Sequence, residues 1–196
     1  MISNCTQKSR HAAISLLLEQ RLHSLFIDVA ALRLNKSIVI DSLQSFCIVT
    51  GMSAADVKED KNFRDGFTII KGIGTKVKYI VLFNEEQKNH RRRAFTIAHE
   101  IGHIYLGHKN DSHENEIEAN RFASELLMPN IILQEYVKQC SPSVNDICRV
   151  FNVSQITAQT RLREISGSKC HCEKCNELLR KFAGLLPFPD GPIITF

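Results

Sequence analysis

RRRAFTIAHEIGHIYLGH (residues 91–108), followed by HENEIEANRFASELLMP (residues 113–129), is the stretch whose reading decides the fold. Apolar residues recur at Phe95, Ile97, Ala98, Ile101, Ile104 and Leu106 with the period of an amphipathic helix, and Gly107 is placed to end it. Asn84, with Glu85 and Glu86 behind it at the positive end of the dipole, offers one start for this helix, and Asn89 a later one. A second helix is expected over about 115–127, stopped by Pro129. Glu116, Asn120, Ala123 and Leu127 share the face that would press on the first helix.

Within the first helix, His99-Glu100-Ile101-Gly102-His103 matches H-E-x-x-H. Four residues are about 400° of helix, so the two imidazoles project from one face a turn apart and can both reach a tetrahedral ion. Glu100 lies about 100° round from His99, beside the ion's position, where a carboxylate can take the proton of the attacking water. A catalytic zinc site needs a third protein ligand. The extended motif with a third histidine six residues on is absent, because Lys109 stands there; His108 is one residue short and is expected to point elsewhere. The third ligand should therefore come from the second helix, which supplies Glu116, Glu118 and Glu125. Glu116 is the first choice, with Asn120 placed to accept the second ring N–H of a ligating histidine. Glu118 points away from that face and is the fallback.

Working outward, residues 12–22 and 27–32 read as two N-terminal helices. Residues 46–50, 67–70 and 78–83 read as short strands of a small, meandering sheet, with Asp65-Gly66 and the Gly72 and Gly74 pair as turns. Beyond Ser141-Pro142, two short helices are expected, broken near Asn152, and then a Cys-rich cluster and a Pro-rich tail. The boundaries that follow are a metallopeptidase-like domain over 1–138, a helical segment resembling half of a helix-turn-helix over 139–168, and the cluster and tail over 169–196.

Composition sets the outer limits. The chain has 196 residues, 43% hydrophobic and 23% charged, with nine Gly and five Pro, which excludes disordered and low-complexity classes. The formal charge of +4 is too mild to argue for nucleic acid. No apolar run is long enough for a bilayer, and residues 1–10 are polar, so the expected location is the cytoplasm and no membrane partner is expected. Seven cysteines are an odd number, read mostly as reduced core thiols. Cys170, Cys172 and Cys175 supply one C-x-x-C knuckle where a closed structural zinc site wants two, which favours free thiols or a redox pair. Arg91, Arg92 and Arg93 read as a solvated basic face.

The order YIVLF, RRRAFTIAHEIGH, EIEANRFASELLMP resembles the ImmA/IrrE family of zinc-dependent metallo-endopeptidases over about residues 27–162. The resemblance implies a zincin-like α+β domain. His99, His103 and Glu116 match its zinc ligands, Glu100 its catalytic acid/base, and Phe122, Ala123 and the LLMP run its packing signature. Many members carry Asp where this chain has Asn120, which implies a weaker hydrogen bond behind the imidazole. It further implies a cytoplasmic enzyme acting on a helix-turn-helix repressor encoded nearby, and thereby switching transcription. An extended peptide substrate would pair with an edge strand, for which residues 78–83 are the natural candidate. The rival reading is a non-enzymatic zincin scaffold that binds a repressor or DNA.

Overall fold

The computed structural model describes residues 4–34, 37–51, 53, 65–73, 76–110, 112–165 and 172–186. Three strands, β1 (Ile38–Ser42), β2 (Gly66–Ile73) and β3 (Lys76–Phe83), form one sheet in the order β1-β3-β2. β1 runs parallel to β3 and β2 antiparallel to it, with Ile40 and Thr68 both opposite Val81. Alternation along each strand sorts the side chains between two faces. Ile38, Ile40, Tyr79, Val81 and Phe83 belong to the main core, whereas Phe67, Ile69, Ile80 and Leu82 pack with the helix α2 (Leu43–Thr50).

The remaining helices are α1 (Asn4–Leu18), α3 (His90–Leu106), α4 (His113–Leu127), α5 (Asn130–Cys140), α6 (Val144–Val150), α7 (Gln155–Ile165) and α8 (Glu173–Phe182). α3 starts at the later of its two options: the Asn89 side chain accepts hydrogen bonds from the N–H groups of Arg91 and Arg92. Gly107, at φ 74° in the left-handed region, ends it. α4 is capped by Ser112, whose hydroxyl accepts from the Asn115 N–H. Gly102 lets the two helices close on each other, since a Cβ there would lie 3.0 Å from Phe122 Cδ1 and 3.3 Å from Ala119 Cα. Ala119, Phe122, Ala123 and Leu126 are fully buried along this contact and its flanks.

α1 packs between α4 and α8, with Ala13, Ile14, Leu16 and Leu17 buried. Cys175, Leu178 and Phe182, on one stripe of α8, join the same core as Ile147, Phe151, Val153 and Ala158. α7 is pinned at Arg161, whose guanidinium donates to Glu125 at 2.6 Å and to the Met128 carbonyl at 2.7 Å. Among the described residues no helix is long and apolar enough to cross a membrane.

Several expectations need correction. Residues 46–50, read as a strand, form the end of α2: Ser42 caps the Ser45 N–H, Leu43 and Cys47 bury one turn apart, and Ile48 and Val49 stay 74% and 82% exposed. The sheet is mixed rather than meandering, because β1 enters parallel to β3. The second N-terminal helix is reduced to one 3-10 turn, Val29–Ala31, capped by Asp28. Residues 78–83 lie in the central strand, hydrogen-bonded on both sides, so they offer no edge to a substrate. Among the described residues, β2 is the terminal strand on the side of the cleft described next.

Candidate metal centre

α3 presents His99 and His103 one turn apart, and the close α3–α4 approach brings Glu116 to them. The two Nε2 atoms are 2.9 Å apart, and Glu116 lies 3.3 Å from Nε2 of His99 and 3.2 Å from Nε2 of His103. Among the described residues these three are the group of potential ligands whose donor atoms converge, all within 4.8 Å of one another. Tetrahedral zinc with bonds of about 2.0–2.1 Å sets its ligand atoms about 3.3–3.4 Å apart. The carboxylate distances fit that spacing, and the imidazole pair is drawn slightly closer.

The hydrogen bonds behind the imidazoles explain why their lone pairs converge. His99 Nδ1 lies 3.0 Å from Asn120 Oδ1, which can only accept, so the proton sits on Nδ1 and Nε2 carries a lone pair. That lone pair faces a carboxylate, which is also an acceptor. His103 Nε2 faces the same point, so two imidazole nitrogens and a carboxylate oxygen converge, and this donor set fits zinc.

Glu100 lies on the neighbouring face of α3, where Thr68 of β2 donates to its Oε2 at 2.7 Å. This contact ties the carboxylate to the sheet. Both residues line a cleft of about 850 Å³, together with Ile70, Val77 and Tyr79 from the strands and the trio His99, His103 and Glu116. Tyr105, two residues past His103, stacks on Phe122, with ring centroids 6.0 Å apart.

Two residues escaped the sequence reading. Thr68 is 32 positions from Glu100, and nothing local marks the contact. His108 was expected to point elsewhere, yet its side chain is only 5% exposed and its Nδ1 lies 3.1 Å from Nδ1 of His103. A signal for it existed. With Gly107 in the left-handed conformation, the His108 N–H bonds back to the His103 carbonyl at 3.0 Å, and the chain folds over the end of its own helix.

Other candidates find structural employment. Glu125 is 3% exposed and paired with Arg161 and Arg10, far from the metal trio in role. Glu118 pairs with His108 at 3.1 Å and faces Lys8 at 3.6 Å. Of the three arginines, Arg92 is exposed, as a solvated face requires, and pairs with Asp65, whereas the half-buried Arg91 donates to Asn152 and the half-buried Arg93 lies over the Phe83 ring. Cys172 and Cys175 have their sulfurs 3.2 Å apart, while Cys170 and the tail beyond residue 186 lie outside the described residues.

A mixed α+β fold, an H-E-x-x-H helix and a carboxylate from the next helix together define a zincin-like metallopeptidase. The chain belongs to the M78 peptidase family: the family model described as the IrrE N-terminal-like domain matches residues 55–163, more than half of the chain. No curated protein matches it.

Proposed function

We propose that the protein is a zinc endopeptidase in which His99, His103 and Glu116 hold the ion and Glu100 moves the proton. The observation that carries this reading is the convergence of two imidazole Nε2 atoms and a carboxylate oxygen beside a second carboxylate fixed by Thr68. An ion held by His99, His103 and Glu116 would supply Lewis acidity to the scissile carbonyl and to the attacking water. Glu100 then takes the proton of that water and delivers it to the leaving amide nitrogen, so one carboxylate serves as base and acid in turn. Thr68, by holding one carboxylate oxygen, fixes the plane in which the other receives the proton. Asn120 orients His99 through Nδ1.

The substrate is a peptide segment laid in extended form along β2. Thr68 and Ile70, two apart on one face of this strand, line the cleft, and backbone pairing to a terminal strand would draw the chain past Glu100. A cytoplasmic helix-turn-helix repressor is the partner we assign, on the family resemblance. The test is mass spectrometry of the repressor encoded beside this gene after incubation with zinc-loaded wild type and with Glu100→Gln. A discrete fragment pair from wild type alone is expected. An intact repressor with both proteins, recovered as a stable complex on gel filtration, would instead identify a scaffold; equal cutting by Glu100→Gln would remove the assigned proton carrier.

A further inference from the structure

His103, Nδ1 to Nδ1, meets His108, and His108 Nε2 meets Glu118 Oε2, each at 3.1 Å. With Glu118 ionised and His108 neutral, this row of three side chains runs in one direction of hydrogen bonding. An ionised carboxylate only accepts, so His108 Nε2 carries a proton and donates it to Glu118. In the neutral ring, His108 Nδ1 then bears the lone pair and accepts from Nδ1–H of His103. That leaves the lone pair of His103 on Nε2, the atom facing His99 and Glu116. The opposite direction would put a proton on His103 Nε2, pointing into the trio. The rings of His103 and His108 sit edge to face, 79° apart in plane, and the His108 and Glu118 side chains are 5% and 15% exposed, so water does not readily replace the contact.

We infer that His108 and Glu118 are positioning residues for the metal site: they hold His103 in the tautomer and rotation that a metal ligand needs, and pass the negative charge of Glu118 toward it. The inference rests on the reading that His103, His99 and Glu116 bind zinc. It gives a use to two features that the peptidase reading leaves over, the left-handed Gly107 that swings His108 back and a half-buried acid on α4, paired with His108 and facing Lys8. The two ligand histidines are thus held differently, His99 by a neutral amide and His103 by an imidazole backed by a carboxylate. Partners of this kind typically set metal affinity by about 10–100-fold.

The experiment is zinc affinity by competition with a chromophoric chelator, measured on full-length wild type, Glu116→Ala, His108→Ala, His108→Gln and Glu118→Gln, with the melting temperature of each apo protein alongside. His108→Ala should bind zinc about 10–100-fold more weakly. His108→Gln, whose amide can accept from His103 and donate to Glu118, should recover much of that loss, and Glu118→Gln should show part of it. A packing role alone would move the apo melting temperature and leave the affinity of the folded protein unchanged. Should His108→Ala fail to fold, Glu118→Gln decides, together with the nitrogen NMR spectrum of zinc-loaded wild type, where the His103 proton is expected on Nδ1. Affinities of His108→Ala and Glu118→Gln within about twofold of wild type, or a His103 proton on Nε2, would overturn the inference. Equal zinc binding by wild type and Glu116→Ala would instead sink the underlying ligand assignment, so the two failures are distinguishable.

Discussion

The two ends of α4 carry carboxylates with opposite fates. At the far end, Glu125 Oε2 accepts from Arg161 at 2.6 Å, and Oε1 accepts from Arg10 at 3.2 Å and from the Asn130 N–H at 3.1 Å. Its charge is compensated within the chain, and the cluster locks α1, α4 and α7 together. Near the start of the helix, Glu116 keeps 41% of its side chain exposed and faces two imidazole nitrogens. There no guanidinium or ammonium group is paired with it among the described residues. A buried carboxylate between guanidiniums is a structural clamp, and a half-open carboxylate beside two converging imidazoles is a group that could hold a cation; the partner, more than the residue type, decides which.

Substitutions at the two ends should therefore separate chemistry from stability. Glu100→Gln, beside the open end, should lower cleavage by about 10²–10⁴-fold while zinc content and melting temperature stay at wild-type values. At the closed end, Glu125→Ala removes the carboxylate that Arg161 and Arg10 share and should cost about 3–5 kcal/mol in denaturant unfolding. The fraction that remains folded should still bind zinc normally, and a loss of affinity there would erase the contrast between the two ends. Thr68→Val removes one hydrogen bond to a charged acceptor, for an expected fall of about tenfold in kcat/KM with stability little changed.

The smallest effect belongs to a cap remote from both ends. Ser143 and Asp146 form a reciprocal capping box at the start of α6, and the hydrogen bonds from the Ser143 hydroxyl and backbone N–H hold the Asp146 carboxyl below the usual aspartate range. Ser143→Ala should lower Tm by about 2–4 °C at neutral pH. A depressed carboxyl contributes stability above its unfolded pKa of 3.8 and loses it as pH falls through the lower folded value. The gap between wild type and variant should accordingly narrow on going below that pH, as followed by circular dichroism.

The site was more legible in the sequence than the sheet was. Helical periodicity, the Asn89 cap, Gly107 and Pro129 place His99, Glu100, His103 and Glu116 on two facing helices, because these signals act within a few residues. Residues 46–50 misled for a physical reason. Their β-branched, apolar composition suits a strand, yet the Ser42 cap and the burial of Leu43 and Cys47 one turn apart set a helix. β1, read as no element, owes its place to pairing with β3 about 41 positions away, a contact that no local pattern encodes. Thr68 was hidden by the same distance, whereas His108 was hidden only by treating Gly107 as an end rather than as a turn with a direction.

The most direct test is the zinc content of dialysed, folded wild type, Glu116→Ala and Glu125→Gln, measured by elemental analysis. Stoichiometric zinc in wild type and Glu125→Gln, with none retained by Glu116→Ala, is the predicted result. Full retention of zinc by Glu116→Ala would contradict it, because the open end of α4 would then have no part in holding the ion.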